Sequence, residues 1–258
     1  MTIAELRKKF PNVNEIEFEL LVAFFLKKDR LWVISNFQYL LPLPLLKRIM
    51  AGLEKLTKGL PLAYIIGVKR FYELRFHVNK HVLIPRQETE ELVQHVLHSF
   101  APYKKSLKVA DLGTGSGCIG ITLAKLAPQN KYYLVDKSSS ALKVAKKNIN
   151  MNLSRFEAKQ VSLYKGNLLE PLQNDLPDII VANLPYLGDM VFQETPKSVK
   201  GYEPHLALYG GPDGLDLYRE LMNQVANYYK DTPLPEMWWE ISPEQKDIIE
   251  SQSFPRCI

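Results

Sequence analysis

The chain has 258 residues, 46% of them hydrophobic and 24% charged, with a formal net charge of +5. That is the balance of an ordinary globular protein, long enough for one large α/β domain or for a medium domain plus a small one. Two cysteines, Cys118 and Cys257, are too few for a disulfide framework and lack the spacing of a metal site.

Met1–Pro11 is charged and has no apolar core of a secretion signal. The apolar stretches Leu20–Leu26 and Leu40–Leu46 are too short to cross a bilayer. A cytoplasmic, reduced, soluble protein is expected, with no membrane partner. The basic excess suits nucleic acid or a ribosomal neighbourhood, but a solvated basic surface accounts for it equally well.

Taken in chain order, residues 1–67 read as short helices. Thr2 with Glu5, and Asn14 with Glu17, match capping boxes. Leu20, Leu21, Phe24 and Phe25 recur at helical spacing, and Pro42, Pro44 and Pro61 mark helix ends. From Val68 to Pro85 the period becomes two. Phe71, Glu73, Phe76, Val78, Val82 and Ile84 predict two strands turning at Asn79–Lys80, a hairpin between two domains. Glu88–Phe100 reads as an amphipathic helix. Strands at Leu107–Leu112, Tyr132–Asp136, Gln160–Tyr164 and Asp178–Ala182 then alternate with helices at Ile119–Ala127 and Ser140–Asn150. This alternation predicts a mostly parallel, doubly wound α/β sheet, whose ligands bind outside the carboxyl ends of its strands. Met237–Ile241 reads as a fifth strand and Pro243–Glu250 as a short helix-like segment. Cys118, in a run of small residues, reads as a buried small hydrophobe.

The candidate motifs all fall at those strand ends. Asp111-Leu-Gly113-Thr114-Gly115-Ser116-Gly117 follows the first strand of the sheet and opens a helix. Glycines permit a tight turn and close backbone approach to a ligand; a plain turn is the competing explanation. Asp111 suits a ligand with a cationic amino-acid part and would oppose a pyrophosphate. S-adenosylmethionine carries an ammonium and a sulfonium. Asp136 ends the second strand about twenty residues further on, where a carboxylate can accept both ribose hydroxyls. Nicotinamide dinucleotides use such a group in the same way. Ser138–Ser140 can cap the following helix instead of Asp136. At the next strand end, Asn167-Leu168 could border an adenine, with Asn167 accepting from its amino group, or form a simple turn.

Asn183-Leu184-Pro185-Tyr186 ends the fourth strand. An amide or aniline-like nitrogen is a poor nucleophile because its lone pair is delocalised. An enzyme that methylates it should accept hydrogen bonds from its N–H groups and aim the lone pair at the methyl. The Asn183 side-chain carbonyl can take one N–H and the Leu184 backbone carbonyl a second, since Pro185 favours an extended geometry. Tyr186 can stack on the planar group. A proline turn closing a strand is the competing reading.

Together with these motifs, Val82-Leu-Ile-Pro85-Arg86-Gln-Glu88-Thr89-Glu90 and Gly201-Tyr-Glu-Pro204…Gly210-Gly211-Pro-Asp213-Gly214-Leu-Asp216 make the chain, from Tyr64 to about Ile241, resemble the HemK/PrmC-type protein-glutamine N5-methyltransferases. The resemblance implies a helical substrate-docking domain over 1–67, a hairpin linker over 68–86 and a class I S-adenosylmethionine-dependent methyltransferase domain, Rossmann-like, over 87–258. It implies methylation of the glutamine in the Gly-Gly-Gln motif of peptide-chain release factors, or of a ribosomal protein glutamine, with S-adenosylhomocysteine as product. Asp111, Gly113–Gly117, Asp136, Asn167, Leu168 and Asn183 would hold the cofactor. Asn183, Leu184, Pro185 and Tyr186 would hold the amide, with Asn183, Pro185 and Tyr186 the catalytic set. Arg86 and Glu88 would shape the site, or pair to brace the linker.

Three departures stand out. Leu184 replaces the family's usual first proline, and Asn167 stands where aspartate is common. Beyond Ile241 two further strands are normally present. Without them the fifth strand should lie at a sheet edge with apolar surface exposed, Trp238 and Trp239 serving as packing. A chain naturally short, truncated, or completed by a partner fits this. The alternatives are an adenine-N6 methyltransferase, which must flip its base, and a cofactor-binding domain without activity. Residues 1–70 carry 12 Lys/Arg against 6 Asp/Glu, a net of +6, which suits nucleic acid or a ribosome-bound factor; no stable nucleic-acid partner is expected.

Overall fold

The computed structural model describes residues 1–251, so Cys257 lies outside the described residues. The chain divides into two compact units. The first comprises Met1–Gly67 with Lys197–Tyr202, and the second comprises Val68–Pro196 with the chain from Glu203 onward.

The first unit is built of α1 (Ile3–Lys9), α2 (Glu15–Leu26), α3 (Arg30–Ser35), α4 (Leu43–Thr57) and α5 (Leu62–Ile66). Thr2 and Glu5 form the expected reciprocal cap, and the Asn14 side chain accepts from the amides of Ile16 and Glu17. Pro42 and Pro61 stand immediately before α4 and α5. Ile3, Leu6, Phe18, Leu21, Val22, Val33, Ile49 and Leu53 form the core. Buried Glu19 is neutralised by Arg30 at 2.6 Å, since an unpaired charge there would be costly. The Tyr202 hydroxyl donates to the Lys58 carbonyl at 2.6 Å.

The second unit opens with the antiparallel hairpin β1 (Val68–Phe71) and β2 (Leu74–His77). The hairpin is four residues per strand, and its turn is Tyr72–Glu73, not Asn79–Lys80. Both turn residues have positive φ, 49° and 64°, the geometry that matches strand twist in two-residue loops. The residues after Asn79–Lys80 up to Pro85, expected as the second strand, are irregular chain. The alternation misled because Val78, Val82 and Ile84 are buried without pairing into a ladder.

After α6 (Thr89–Ser99) come β3 (Lys108–Leu112), α7 (Cys118–Leu126), β4 (Lys131–Asp136), α8 (Ser139–Asn152), α9 (Arg155–Ala158), β5 (Val161–Lys165) and β6 (Ile179–Ala182). They are followed by α10 (Asp189–Glu194), α11 (Lys197–Lys200, in the first unit), α12 (Asp216–Tyr228), β7 (Glu236–Trp239) and α13 (Lys246–Ser251). Five strands form one parallel sheet in the order β5-β4-β3-β6-β7.

Alternate residues of β3, β4 and β6 feed two cores, one on each face. Val109, Tyr132, Leu134, Ile179 and Val181 pack with residues of α6 and α7. Ala110, Leu112, Tyr133, Val135, Ile180 and Ala182 pack with residues of α12. The strand order reverses between β3 and β6, which opens a crevice at their carboxyl ends. β7 is the sheet edge, as expected, but its indoles are partly covered. Trp238 stacks on His95 of α6 (5.7 Å, 9°) and Trp239 meets Tyr218 of α12 edge-on at 5.2 Å.

Candidate active site

A cleft lies across that crevice. Its walls include Gly113–Ser116 after β3, Asp136 at the end of β4, Asn167 and Leu168 after β5, and Asn183–Pro185 after β6. Val82, Pro85, Arg86 and Thr89 contribute a further wall. The topology thus brings together motifs spread over some hundred residues of sequence.

Gly113, Gly115 and Gly117 have φ of 70°, 55° and 82°, a region costly for any residue with a Cβ. Asp111 lies behind this loop rather than on the cleft wall. It is buried; its Oδ2 accepts from the Thr114 hydroxyl at 2.6 Å and the Gly120 amide at 2.9 Å. Burial lifts its carboxyl to about 6, against those two hydrogen bonds. Its Oδ1 has no hydrogen-bond partner. A buried carboxylate with an empty acceptor fits a cationic group nearby, so the residues present suit the ligand expected from sequence.

Asp136 accepts from the Gly115 amide through Oδ2 and from the Ser138 amide through Oδ1, both at 2.8 Å. Burial raises its pKa while these bonds hold it down. Ser138 caps α8, as expected, so Asp136 is left to face the cleft. Asn167 donates its amide to Glu220, which leaves Oδ1 as the remaining acceptor. Leu168 takes a positive φ of 55°, and its neighbour Leu169 donates to the Gln224 side chain at 2.7 Å. Cys118 packs against the core on the α6 and α7 face and also lines the cleft, and burial pushes its thiol up to about 12.

The Asn183–Tyr186 segment is held by residues that sequence reasoning did not single out. Asn183 Nδ2 donates to the Thr89 hydroxyl at 3.0 Å and to Glu240 Oε2 at 2.9 Å. Thr89 itself donates to Glu240 Oε2 at 2.7 Å, and the Tyr186 hydroxyl donates to Oε1 at 3.2 Å. Tyr218 donates to the Glu240 backbone carbonyl and accepts from the Leu184 amide at 3.3 Å. Buried Gln245 donates to the carbonyls of Tyr186 at 2.8 Å and Asp213 at 2.9 Å. A Cβ on Gly214 would collide with the Tyr186 carbonyl oxygen.

Besides Asp111, the expected site residues Gly117, Tyr186 and Glu88 are not on the cleft wall. Tyr186 is half-buried with its hydroxyl on Glu240, and burial followed by that carboxylate pushes it up to about 12. Glu88 is exposed at the start of α6, near enough for its charge to act on Tyr186. Nor do Arg86 and Glu88 pair with each other. Arg86 bonds Glu203 at 2.6 Å, and Glu203 also accepts from the Ile84 amide at 3.0 Å. Buried Asn148 accepts from the His77 amide at 2.6 Å and donates to the Ser116 carbonyl at 2.8 Å, joining hairpin and glycine loop.

A parallel sheet with this glycine loop, a carboxylate one strand over and an Asn-x-Pro-Tyr segment across the crevice defines a class I, Rossmann-like methyltransferase. Residues 87–195 match the methyltransferase small domain family and residues 2–67 the PrmC N-terminal domain family. The chain is 35% identical to the release factor glutamine methyltransferase of Mycoplasma mycoides, over 96% of this chain and 86% of that one. It is 35% identical to that of Bacillus subtilis over 90% and 81% of the two chains, and 38% identical to that of Koribacter versatilis over 82% and 74%. The chain belongs to the release factor glutamine methyltransferase family. Among solved structures, the hMettl16 catalytic domain in complex with MAT2A 3′UTR hairpin 1 is similar at a TM-score of 0.55 and 14% identity, covering 93% of this chain and 84% of that one. This is a likeness of fold.

Proposed function

We propose that this protein transfers a methyl group from S-adenosylmethionine to N5 of the glutamine in the Gly-Gly-Gln motif of a peptide-chain release factor. The observation that carries the reading is the meeting of Asn183 and Leu184 with the glycine loop and Asp136 on one cleft. S-adenosylmethionine supplies a methyl carbon already activated by its sulfonium. Gly113–Gly117 with Asp111 behind them would hold its amino-acid end, Asp136 its ribose, and Asn167 with Leu168 its adenine.

The chain's task is then orientation and electrostatics. The Asn183 Oδ1 and the Leu184 carbonyl accept the two N–H groups of the glutamine amide and turn its nitrogen lone pair toward the methyl. No base is needed before attack, because the nitrogen releases its proton only afterwards. The N-terminal unit, rich in Lys and Arg, serves as the docking surface for the factor, which works beside the ribosome. No helix among the described residues is long and apolar enough to cross a membrane.

The adenine-N6 alternative has no specific observation in its favour, since the likeness to hMettl16 is one of fold alone. Competition decides between them. Labelled methyl transfer to a release factor should be undisturbed by excess adenine-containing oligonucleotide. Suppression of transfer to the factor, with label moving into the oligonucleotide, would overturn the substrate assignment.

A further inference from the structure

We propose that Glu240 is a positioning residue that fixes the polarity of the Asn183 carboxamide and thereby makes the cleft accept an amide in preference to a carboxylate. The inference rests on reading Asn183 as the holder of the target amide. Which end of a carboxamide faces where is decided by its partners. A carboxylate offers acceptors only, and Glu240 gathers donors from three side chains: Thr89 at 2.7 Å, Asn183 at 2.9 Å and Tyr186 at 3.2 Å. Thr89 spends its hydrogen on Glu240, so toward Asn183 it can only accept, at 3.0 Å. Both partners of Asn183 Nδ2 are therefore acceptors. Oδ1 is the end left for the cleft.

An acceptor there welcomes an N–H and repels a carboxylate oxygen. The same wall adds the Leu184 backbone carbonyl, another acceptor. Glutamine presents two N–H donors to this pair, and glutamate none. Glu240 can hold this polarity because its own backbone is pinned. Its amide donates to the Ala182 carbonyl at 3.1 Å, and its carbonyl accepts from Tyr218.

The test is E240Q. A glutamine at 240 can offer its own N–H to Asn183, so the Asn183 amide is free to reverse. Three readouts belong together: kcat on release factor, binding of S-adenosylmethionine, and the ratio of affinities for a Gly-Gly-Gln factor and its Gly-Gly-Glu counterpart. We expect kcat to fall by about tenfold to a hundredfold and the Gln/Glu ratio to narrow by at least about tenfold, while cofactor affinity stays within about twofold. Loss of general integrity would lower all three; unchanged kcat and ratio would overturn the proposal. A direct readout needs no activity. In the wild type the Asn183 side-chain N–H protons, assigned by their loss in Asn183→Ala, should exchange slowly with solvent, and E240Q should release them. Fast exchange in the wild type would overturn the proposal. Should E240Q fold poorly, Thr89→Val tests the same chain of donors. A wild type that methylates no glutamine while its Asn183 protons are protected would sink the reading of substrate and leave the role of Glu240 standing.

Discussion

On the proposed function the chemistry concentrates at Asn183, whose side chain is easy to test in isolation. Asn183→Ala would then remove one acceptor from the target amide and leave the glycine loop and Asp136 intact. We expect kcat to fall on the order of a hundredfold to a thousandfold, with cofactor affinity, read by calorimetry, changed little. Asp111 makes a prediction with a sign. Its folded pKa is raised to about 6 from 3.8, so the native state binds its proton more tightly than the unfolded one. Its contribution to stability is therefore fully present below about 4 and lost as pH climbs to about 6. Asp111→Asn should remove that slope in the unliganded protein, measured as Tm against pH. A cationic ligand reverses the preference. Affinity for S-adenosylmethionine should rise through pH 6 in the wild type, while Asp111→Asn shows a flat profile and a loss of roughly tenfold or more at neutral pH.

The glycine loop, Asp136 and the Asn183–Tyr186 segment could be read from sequence because each is a local pattern at a strand end. Glu240, Thr89, Glu203 and Gln245 could not, because they act through contacts that only the fold creates. Thr89 and Glu240 are 151 residues apart, and Ile84 and Glu203 are 119 apart. One signal was available: Glu240 follows directly on the fifth strand of a parallel sheet, where ligand-binding groups gather. The roles expected of Tyr186 and Glu88 rest on the motif alone, which supplies residue types but not the direction of the side chains; neither residue lines the cleft.

At the scale of elements, the hairpin and the sheet fail for different reasons when altered. The hairpin turn places Tyr72 and Glu73 at positive φ, which residues with a Cβ adopt at a cost. Glu73→Gly should relieve it and raise stability by about 1 kcal/mol, read as a higher Tm with activity retained. Gly214 has the opposite sensitivity. Its φ is 79°, and a Cβ would strike both the Tyr186 carbonyl oxygen and the Gln245 side chain. Gly214→Ala should cost on the order of 2 kcal/mol and lower kcat, since the displaced backbone carries the Asn183–Tyr186 segment. Period-two spacing found the hairpin but misplaced its turn. Buried apolar residues in irregular chain, such as Val82 and Ile84, alternate as strand residues do. The fifth strand and its edge position were legible, because Met237–Ile241 follows a proline-marked turn and is apolar enough to pair.

For the whole molecule, the cleft lies entirely within the second unit. Cofactor binding should therefore slow amide hydrogen exchange in residues 113–117, 136–138, 166–168 and 183–186, and leave the core amides of residues 3–56 unchanged. Protection centred on the helical unit would contradict the placement of the cofactor. The two-unit division was legible in the change from helical to strand period near residue 67. The membership of Lys197–Tyr202 in the first unit was not, since nothing in a short polar helix announces its partner.

The most direct test is to incubate the purified protein with S-adenosylmethionine and a release factor, digest the factor, and locate the methyl group by mass spectrometry. We predict one added methyl, on the side-chain amide of the Gly-Gly-Gln glutamine, absent when that glutamine is replaced and strongly reduced with Asn183→Ala. A methyl on any other residue of the factor, or an unmodified factor alongside an enzyme that binds the cofactor, would contradict the account.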